Sequence, residues 1–209
     1  RLYAVDAATG NLVWQVAGNG GNDTVGFSTA GVAAIPAGEI NYGTKNLMPN
    51  TVFFANANGR AYALNAATGA TIWETNELGA SPAASVAFTW LRTYDTNGLM
   101  VNPPGQPMVI VPTVDGRWSA LYANVQDLNK LGLVDGYRRR AWEYVAEAGP
   151  VYAGVAVGGG LTGTDPNDPG SIAPSNWLYG ADNVGYLYAF SDVNIVISPG
   201  TPPGSQTIV

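Results

Sequence analysis

Asp165, Asn167 and Asp168 place three oxygen-bearing side chains within four residues of the run Asp165-Pro166-Asn167-Asp168-Pro169-Gly170. Oxygen donors crowded into a turn suit Ca²⁺, and these three residues are the chain's candidate metal ligands. The run lacks the terminal bidentate Glu and the spacing of a helix–loop–helix calcium loop, and an Asx-rich surface turn explains it as well. Glu143 and Glu147 lie four apart, a spacing that shares a face on a helix but not of necessity on a strand. Asp182-Asn183 falls in an expected hairpin turn, where an Asp has a structural use. The chain has no Cys and no His, which removes thiol nucleophiles, disulfides, imidazole acid–base chemistry and most zinc sites. No paired carboxylates and no phosphate-cradling glycine loop stand out, so no catalytic residue is assigned.

The stronger signal is a repeated phrase. Residues 1–14 read RLYAVDAATGNLVW and residues 60–73 read RAYALNAATGATIW, 59 residues apart. A period of that size marks a repeat architecture in which each copy is one supersecondary unit. Leu2-Tyr3-Ala4-Val5 alternates like a strand, Ala8-Thr9-Gly10 supplies a turn, and Leu12-Val13-Trp14 opens a second strand. Degenerate copies start at Arg117 and Tyr186, so the spacings are 59, 57 and 69.

An apolar strand precedes each of the last three copies, at 51–55, 108–112 and 177–180. The Asn58-Gly59, Asp115-Gly116 and Val184-Gly185 steps between them predict tight hairpins with primed turns. Small apolar runs at 31–35, 83–88 and 151–157 supply inner strands suited to crowding about an axis. Four antiparallel strands per period predict an all-β fold, a β-propeller of which about three and a half blades are present. The blade parts are 1–17, 18–79, 80–148 and 149–198, followed by a Pro/Gly-rich tail at 199–209. Residues 194–198 are a possible last outer strand. The missing part of the ring is expected from further sequence or from another chain, and the start at Arg1 inside a repeat reads as a processed or partial product.

Insertions interrupt this scaffold at 36–49, 94–107, 124–137 and 162–174. Within the third, Val125, Leu128 and Leu131 recur at a spacing suited to a short helix, and the fourth reads as a Gly/Pro/Asp loop. Long loops on a rigid scaffold are the expected contact surfaces. A net charge of −6 argues against a nucleic-acid partner. The one basic cluster, Arg138-Arg139-Arg140, reads as a solvated strand edge. No run approaches the roughly 18 apolar residues of a membrane helix. Asn22-Asp23-Thr24 matches a glycosylation triplet, which has meaning only in a secreted eukaryotic protein.

Ala4, Asp6, Thr9, Gly10 and Trp14 together resemble the tryptophan-docking motif of pyrroloquinoline-quinone (PQQ) repeats. Ala63, Asn65, Thr68, Gly69 and Trp73 repeat it, with Asn in the acidic place. The third copy keeps Ala120 and Trp142 but has Tyr122 in the acidic place and no Thr-Gly turn, and the fourth has no Trp. The resemblance implies that Trp14, Trp73 and Trp142 each tie one blade to the next, with Asp6 holding its turn through backbone amides. It also implies one of two activities. Quinoprotein alcohol dehydrogenases of this superfamily bind PQQ and Ca²⁺ with an acidic ligand set, an Asp base and a vicinal cysteine pair. Other members are cofactor-free scaffolds that hold protein partners. The cysteine pair is missing here and no residue matches the metal or base positions. The expectation is therefore a non-catalytic scaffold without cofactor, extracytoplasmic, with protein partners or further blades at its open ends.

Overall fold

The repeated phrase folds as an antiparallel strand pair wherever it occurs. In the computed structural model its first copy gives β1 (Leu2–Val5) and β2 (Leu12–Val16), a two-stranded sheet. Two complete four-stranded sheets follow, each a meander in chain order. The first contains β3 (Ala33–Ile35), β4 (Thr51–Asn56), β5 (Arg60–Asn65) and β6 (Thr71–Thr75). A single helical turn, α1 (Ala37–Ile40), sits between β3 and β4. The second contains β7 (Ala87–Leu91), β8 (Gln106–Thr113), β9 (Arg117–Tyr122) and β10 (Arg140–Val145). The last period holds β11 (Ala156–Gly158), β12 (Leu161–Asp165), β13 (Asp168–Pro174), β14 (Trp177–Ala181) and β15 (Leu187–Phe190). Here β11, β14 and β15 pair as a three-stranded sheet and β12 pairs with β13. The described residues are 1–16, 31–40, 47–75, 78–91, 106–124, 139–146, 151, 154–158, 161–165, 168–174 and 177–190.

Alternation along the strands sends side chains to both neighbours of each sheet, so the two middle sheets are covered on both faces. Phe54, Tyr62 and Leu64 face β1–β2, where Leu2, Trp14 and Val16 lie on them. Phe53, Ala55, Ala61 and Ala63 face the other way and share a core with Val109, Val111, Leu121 and Ala123 of the next sheet. The opposite face of that sheet, Met108, Ile110, Trp118 and Ala120, packs with Leu178 and Tyr188 of the last. This is the architecture of a partial β-propeller. Small residues meet just ahead of the inner strands β3 and β7. Gly31 donates its amide to Ser85 Oγ at 3.0 Å, and a Cβ on Gly31 would stand 2.6 Å from that oxygen.

Five local expectations are corrected. The hairpins at 57–59 and 114–116 are three-residue loops and the third loop runs over 182–186, closed by the Asp182 amide on the Tyr186 carbonyl at 3.1 Å; in them only Gly59, Gly116 and Gly185 have positive φ. Primed turns would need positive φ at Asn58 or Asp115, which the chain avoids by adding a residue and using a glycine bulge. The inner strand expected at 83–88 is displaced to Ala87–Leu91. Pro82 bridges Thr113 while Ala87 pairs with Ile110, a two-residue slip, and Ser85 lies between these positions and accepts the Gly31 amide. The inner strand expected at 151–157 is likewise only Ala156–Gly158, while Val151 is buried in the core beside Trp118.

The loop expected at 162–174 is the β12–β13 hairpin, with Leu161 opposite Pro174 and Asp165 opposite Asp168. Its prolines suggest a loop, yet a strand outside a larger sheet tolerates them because its amides need not all donate. The insertion at 36–49 is in part a buckle: Ile40 and Met48 are buried in the core between the two middle sheets. Asn124 Nδ2 donates to the Ile40 carbonyl at 3.1 Å, fastening α1 to the end of the neighbouring sheet. The segments 125–137, 194–198 and 199–209, the triplet at 22–24 and Glu147 lie outside the described residues.

Candidate functional site

Each Trp strand pairs with its Ala strand in one register. Trp14 stands opposite Ala4, Trp73 opposite Ala63 and Trp142 opposite Ala120, and an irregularity of the pairing adjoins each of them. Alanine leaves the indole a flat neighbour, and the bulge re-aims the side chain toward the next sheet. Trp14 Nε1 donates to the Ala66 carbonyl at 2.8 Å, and Trp73 Nε1 donates to the Ala123 carbonyl at 2.7 Å. Ala66 and Ala123 are equivalent, each the first residue after the Tyr-Ala strand of the following sheet. Two indoles thus make the same bond to the same place one period on.

The turn that receives Trp14 is built by Asn65. Its Oδ1 accepts the Ala67 amide at 2.9 Å and the Thr68 amide at 3.3 Å, and its carbonyl accepts the Gly69 amide at 2.8 Å. Gly69 has φ +72°, and a Cβ there would lie 2.8 Å from Trp14 Cδ2. Glycine is required at this position for conformation and for space. Asp6 builds the same turn: its Oδ1 accepts the amides of Ala8 and Thr9 at 3.0 and 2.8 Å and the Thr9 hydroxyl at 2.9 Å. The Thr9 hydroxyl, then the Thr9 and Ala8 amides, hold the Asp6 carboxyl below the usual range.

The third sheet lacks that turn, yet its closure is unchanged. The Tyr122 amide donates to the Arg139 carbonyl at 2.7 Å, as Asn65 does to Ala70 and Asp6 does to Asn11. The insertion therefore enters between two fixed ladder positions. Arg139 takes over the role of a cover for the indole. Its guanidinium lies 4.2 Å from the Trp73 ring centroid and donates Nη1 to the Tyr122 carbonyl at 3.1 Å. Of the Arg138–Arg140 run, Arg138 lies outside the described residues, while the other two are not a solvated edge: Arg139 is buried, and Arg140 pairs with Glu143. A guanidinium stacks on an indole face and still satisfies a carbonyl, which a lysine does less well.

Trp118 is the residue that sequence reasoning missed. It occupies the position of Ala61 on β9, is fully buried, and lies against Gly180 of the last sheet, where a Cβ would stand 2.7 Å from its ring. A Trp replacing a small residue inside the Tyr-Ala strand, with a Gly in the facing strand, is the signal that could have found it. Trp142 packs in the same core, partly buried.

The charged groups have structural partners. Arg60 pairs with Glu74 at 3.0 Å and Arg117 pairs with Glu143 at 3.1 Å, equivalent cross-strand pairs in successive sheets. Asp115 binds Arg117 Nε at 2.9 Å. Asp182 Oδ1 accepts the amides of Val184 and Tyr186 at 3.0 and 2.9 Å, and its Oδ2 accepts the Tyr188 hydroxyl at 2.8 Å. Burial pushes the Asp182 carboxyl up, but these donors together with the Gly185 amide outweigh it and leave it below the usual range. Among the described residues no three of His, Cys, Asp and Glu come together as a metal group. The described carboxylates named above, already bound to arginines, hydroxyls and amides, do not fit a PQQ–Ca²⁺ ligand set. Of the calcium candidates, Asp165 and Asp168 face each other across the β12–β13 pair, while Asn167 and all three side chains lie outside the described residues.

Residues 1–101 match the family model described as outer membrane protein assembly factor BamB, a PQQ-type repeat. That span is similar to the PQQ-like repeat family, and the β7–β10 sheet, of which only β7 lies within the match, carries the same strand order onward. No curated protein matches the chain. No helix among the described residues is long and apolar enough to cross a membrane.

Proposed function

We propose that the chain is a cofactor-free scaffold segment of an exported, envelope-associated assembly, with Trp14, Trp73 and Trp142 acting as ties between blades. The observation that carries this reading is the repeated indole bond. Trp14 and Trp73 spend their only polar group on equivalent carbonyls of the next sheet. Burying an indole this way removes roughly 200 Å² from water and leaves its N–H satisfied, which makes it a joint rather than a ligand contact. The neighbouring carboxylates serve turns and cross-strand pairs in the same manner. The family match to an outer-membrane assembly factor supports the extracytoplasmic setting and protein partners. The proposed contact surfaces are the insertions at 36–49, 94–107, 124–140 and 162–174, of which Ile40, Met48 and Arg139 are turned inward.

The test is a titration of the purified chain with PQQ and Ca²⁺, followed by quinone absorbance and calorimetry. No saturable uptake is expected. Stoichiometric quinone binding that needs Ca²⁺ would overturn the scaffold reading in favour of a quinoprotein dehydrogenase.

A further inference from the structure

The seam between the β7–β10 sheet and the last sheet is lined with oxidisable rings. The Trp118 ring centroid lies 4.9 Å from that of Tyr188 and 6.0 Å from that of Tyr144, and the two tyrosines stand 5.6 Å apart. Tyr186, just ahead of β15, is 6.5 Å from Tyr188. These separations are contact distances for aromatic pairs. Trp118 is fully buried and Tyr186 is 60% exposed, so the row of rings runs from core to water. The preceding seam differs: Trp73 meets Phe53, and Phe53 meets Phe88. A phenyl ring keeps its electrons against oxidants that take one from an indole or a phenol.

A base completes the row. The Tyr188 hydroxyl donates to Asp182 Oδ2 at 2.8 Å, and the Asp182 carboxyl lies below the usual range, so it is ionised at neutral pH. A phenol that loses an electron becomes a strong acid, and a carboxylate in hydrogen-bond contact is placed to take its proton. Tyr62, at the corresponding place in the repeat, is bound the other way round: its hydroxyl accepts from Asn58 Nδ2 at 3.0 Å, and an amide takes up no proton. Sulfur groups are a common sink for oxidising equivalents. This chain has no Cys, and Met48 and Met108 are buried.

We propose that this seam is an exit path for one-electron oxidation, in which Tyr188 repairs oxidised Trp118 and Tyr186 passes the radical to the surface. An oxygen-derived radical, or light, removes one electron from Trp118. Tyr188 returns an electron to the indole while its phenol proton moves to Asp182 Oδ2, leaving a neutral tyrosyl radical and a protonated carboxyl. Tyr186 then reduces that radical and releases its own proton to water, and Tyr188 recovers its proton from Asp182. A soluble enediol or phenol that donates a hydrogen atom restores Tyr186. The activity is separate from the scaffold role, because it needs Tyr188 and Asp182 rather than the ties made by Trp14 and Trp73.

The test is a near-ultraviolet flash that photoionises indoles in the intact chain, in oxygen-saturated buffer so that dissolved oxygen takes up the ejected electron. An indolyl radical should decay as a tyrosyl radical grows, more slowly in deuterium oxide because a proton moves with the electron. After repeated flashes, peptide mapping by mass spectrometry should find Trp118 less oxidised than Trp73, which faces Phe53. Tyr188→Phe, which keeps the ring, should abolish the isotope-sensitive phase and raise Trp118 oxidation to the level of Trp73. Asp182→Asn, which keeps an oxygen for the Val184 and Tyr186 amides, should abolish the isotope effect. Tyr186→Phe should keep the phase and lengthen the life of the tyrosyl radical. Unfolding curves check that each variant is folded, and the isotope effect in the parent chain needs no variant. The proposal is overturned by a parent chain without that phase, or by a phase that survives Tyr188→Phe or Asp182→Asn. Trp118 oxidised as readily as Trp73 in the parent, or a tyrosyl lifetime indifferent to Tyr186→Phe, would overturn it too.

Discussion

The indole of Trp14 occupies the space that a side chain on Gly69 would need, 55 residues further along and in the next sheet. The two residues specify each other: the glycine makes the surface flat, and the indole makes any larger residue impossible without displacing the sheet. Gly10 has the same backbone conformation with open space above it. Comparing Ala at the two positions therefore separates conformation from contact. Gly10→Ala is expected to cost about 1 kcal/mol, the left-handed penalty alone. Gly69→Ala adds overpacking of about 1–3 kcal/mol. Denaturant unfolding of both variants checks this, and equal losses would mean that Trp14 does not rest on Gly69.

Arg139 covers Trp73 where the third sheet has lost its turn. Arg139→Ala should destabilise the chain by about 1–3 kcal/mol, because the Tyr122 carbonyl loses a charged donor and the indole loses a cover. Tryptophan emission should shift to the red as water reaches the ring. Arg139→Lys should recover only part of the loss, since the ammonium cannot stack and donate at once. Full recovery by lysine would show that charge alone matters.

The Asp6 turn should be sensitive to acid and the Asn65 turn should not. The folded carboxyl of Asp6 sits below its unfolded value of about 3.9, so its bonds stabilise the turn fully above that value. This contribution falls away as pH drops through the folded value. Amide shifts of Ala8, Thr9 and Gly10 followed to low pH should titrate together, while those of Ala67, Thr68 and Gly69 should not follow the Asp6 titration. Asp6→Asn should abolish the first titration and keep the turn, as Asn65 already does. A titration unchanged in Asp6→Asn would assign it to another group.

The period, the strand order and the pairing of Trp with Ala were all legible because they rest on local alternation and on turn chemistry repeated in register. The Asp6 and Asn65 turns were legible for the same reason. Arg139 was not, because its burial depends on an insertion removing a turn, a consequence that appears only when two sheets are stacked. Trp118 escaped because its seat, Gly180, lies 62 residues away and outside the repeated phrase, whose third copy has Trp118 where the second has Ala61. The β12–β13 hairpin escaped because proline and glycine content says loop, while pairing at the margin of a fold tolerates both. Ser85 shows the limit of strand reading: a small apolar run placed the strand over 83–88, but the pairing slips by two residues between Pro82 and Ala87, and Ser85 between them meets Gly31.

The central claim is that tryptophans hold successive sheets together, and Trp73 tests it most directly because it is buried, bonded to Ala123 and tilted against Phe53 at 5.8 Å. Thermal and denaturant unfolding of Trp73→Ala should show a loss of about 3–5 kcal/mol. Trp73→Phe, which keeps a ring but not the N–H, should lose less. A melt of Trp73→Ala that overlays the parent would contradict the claim outright.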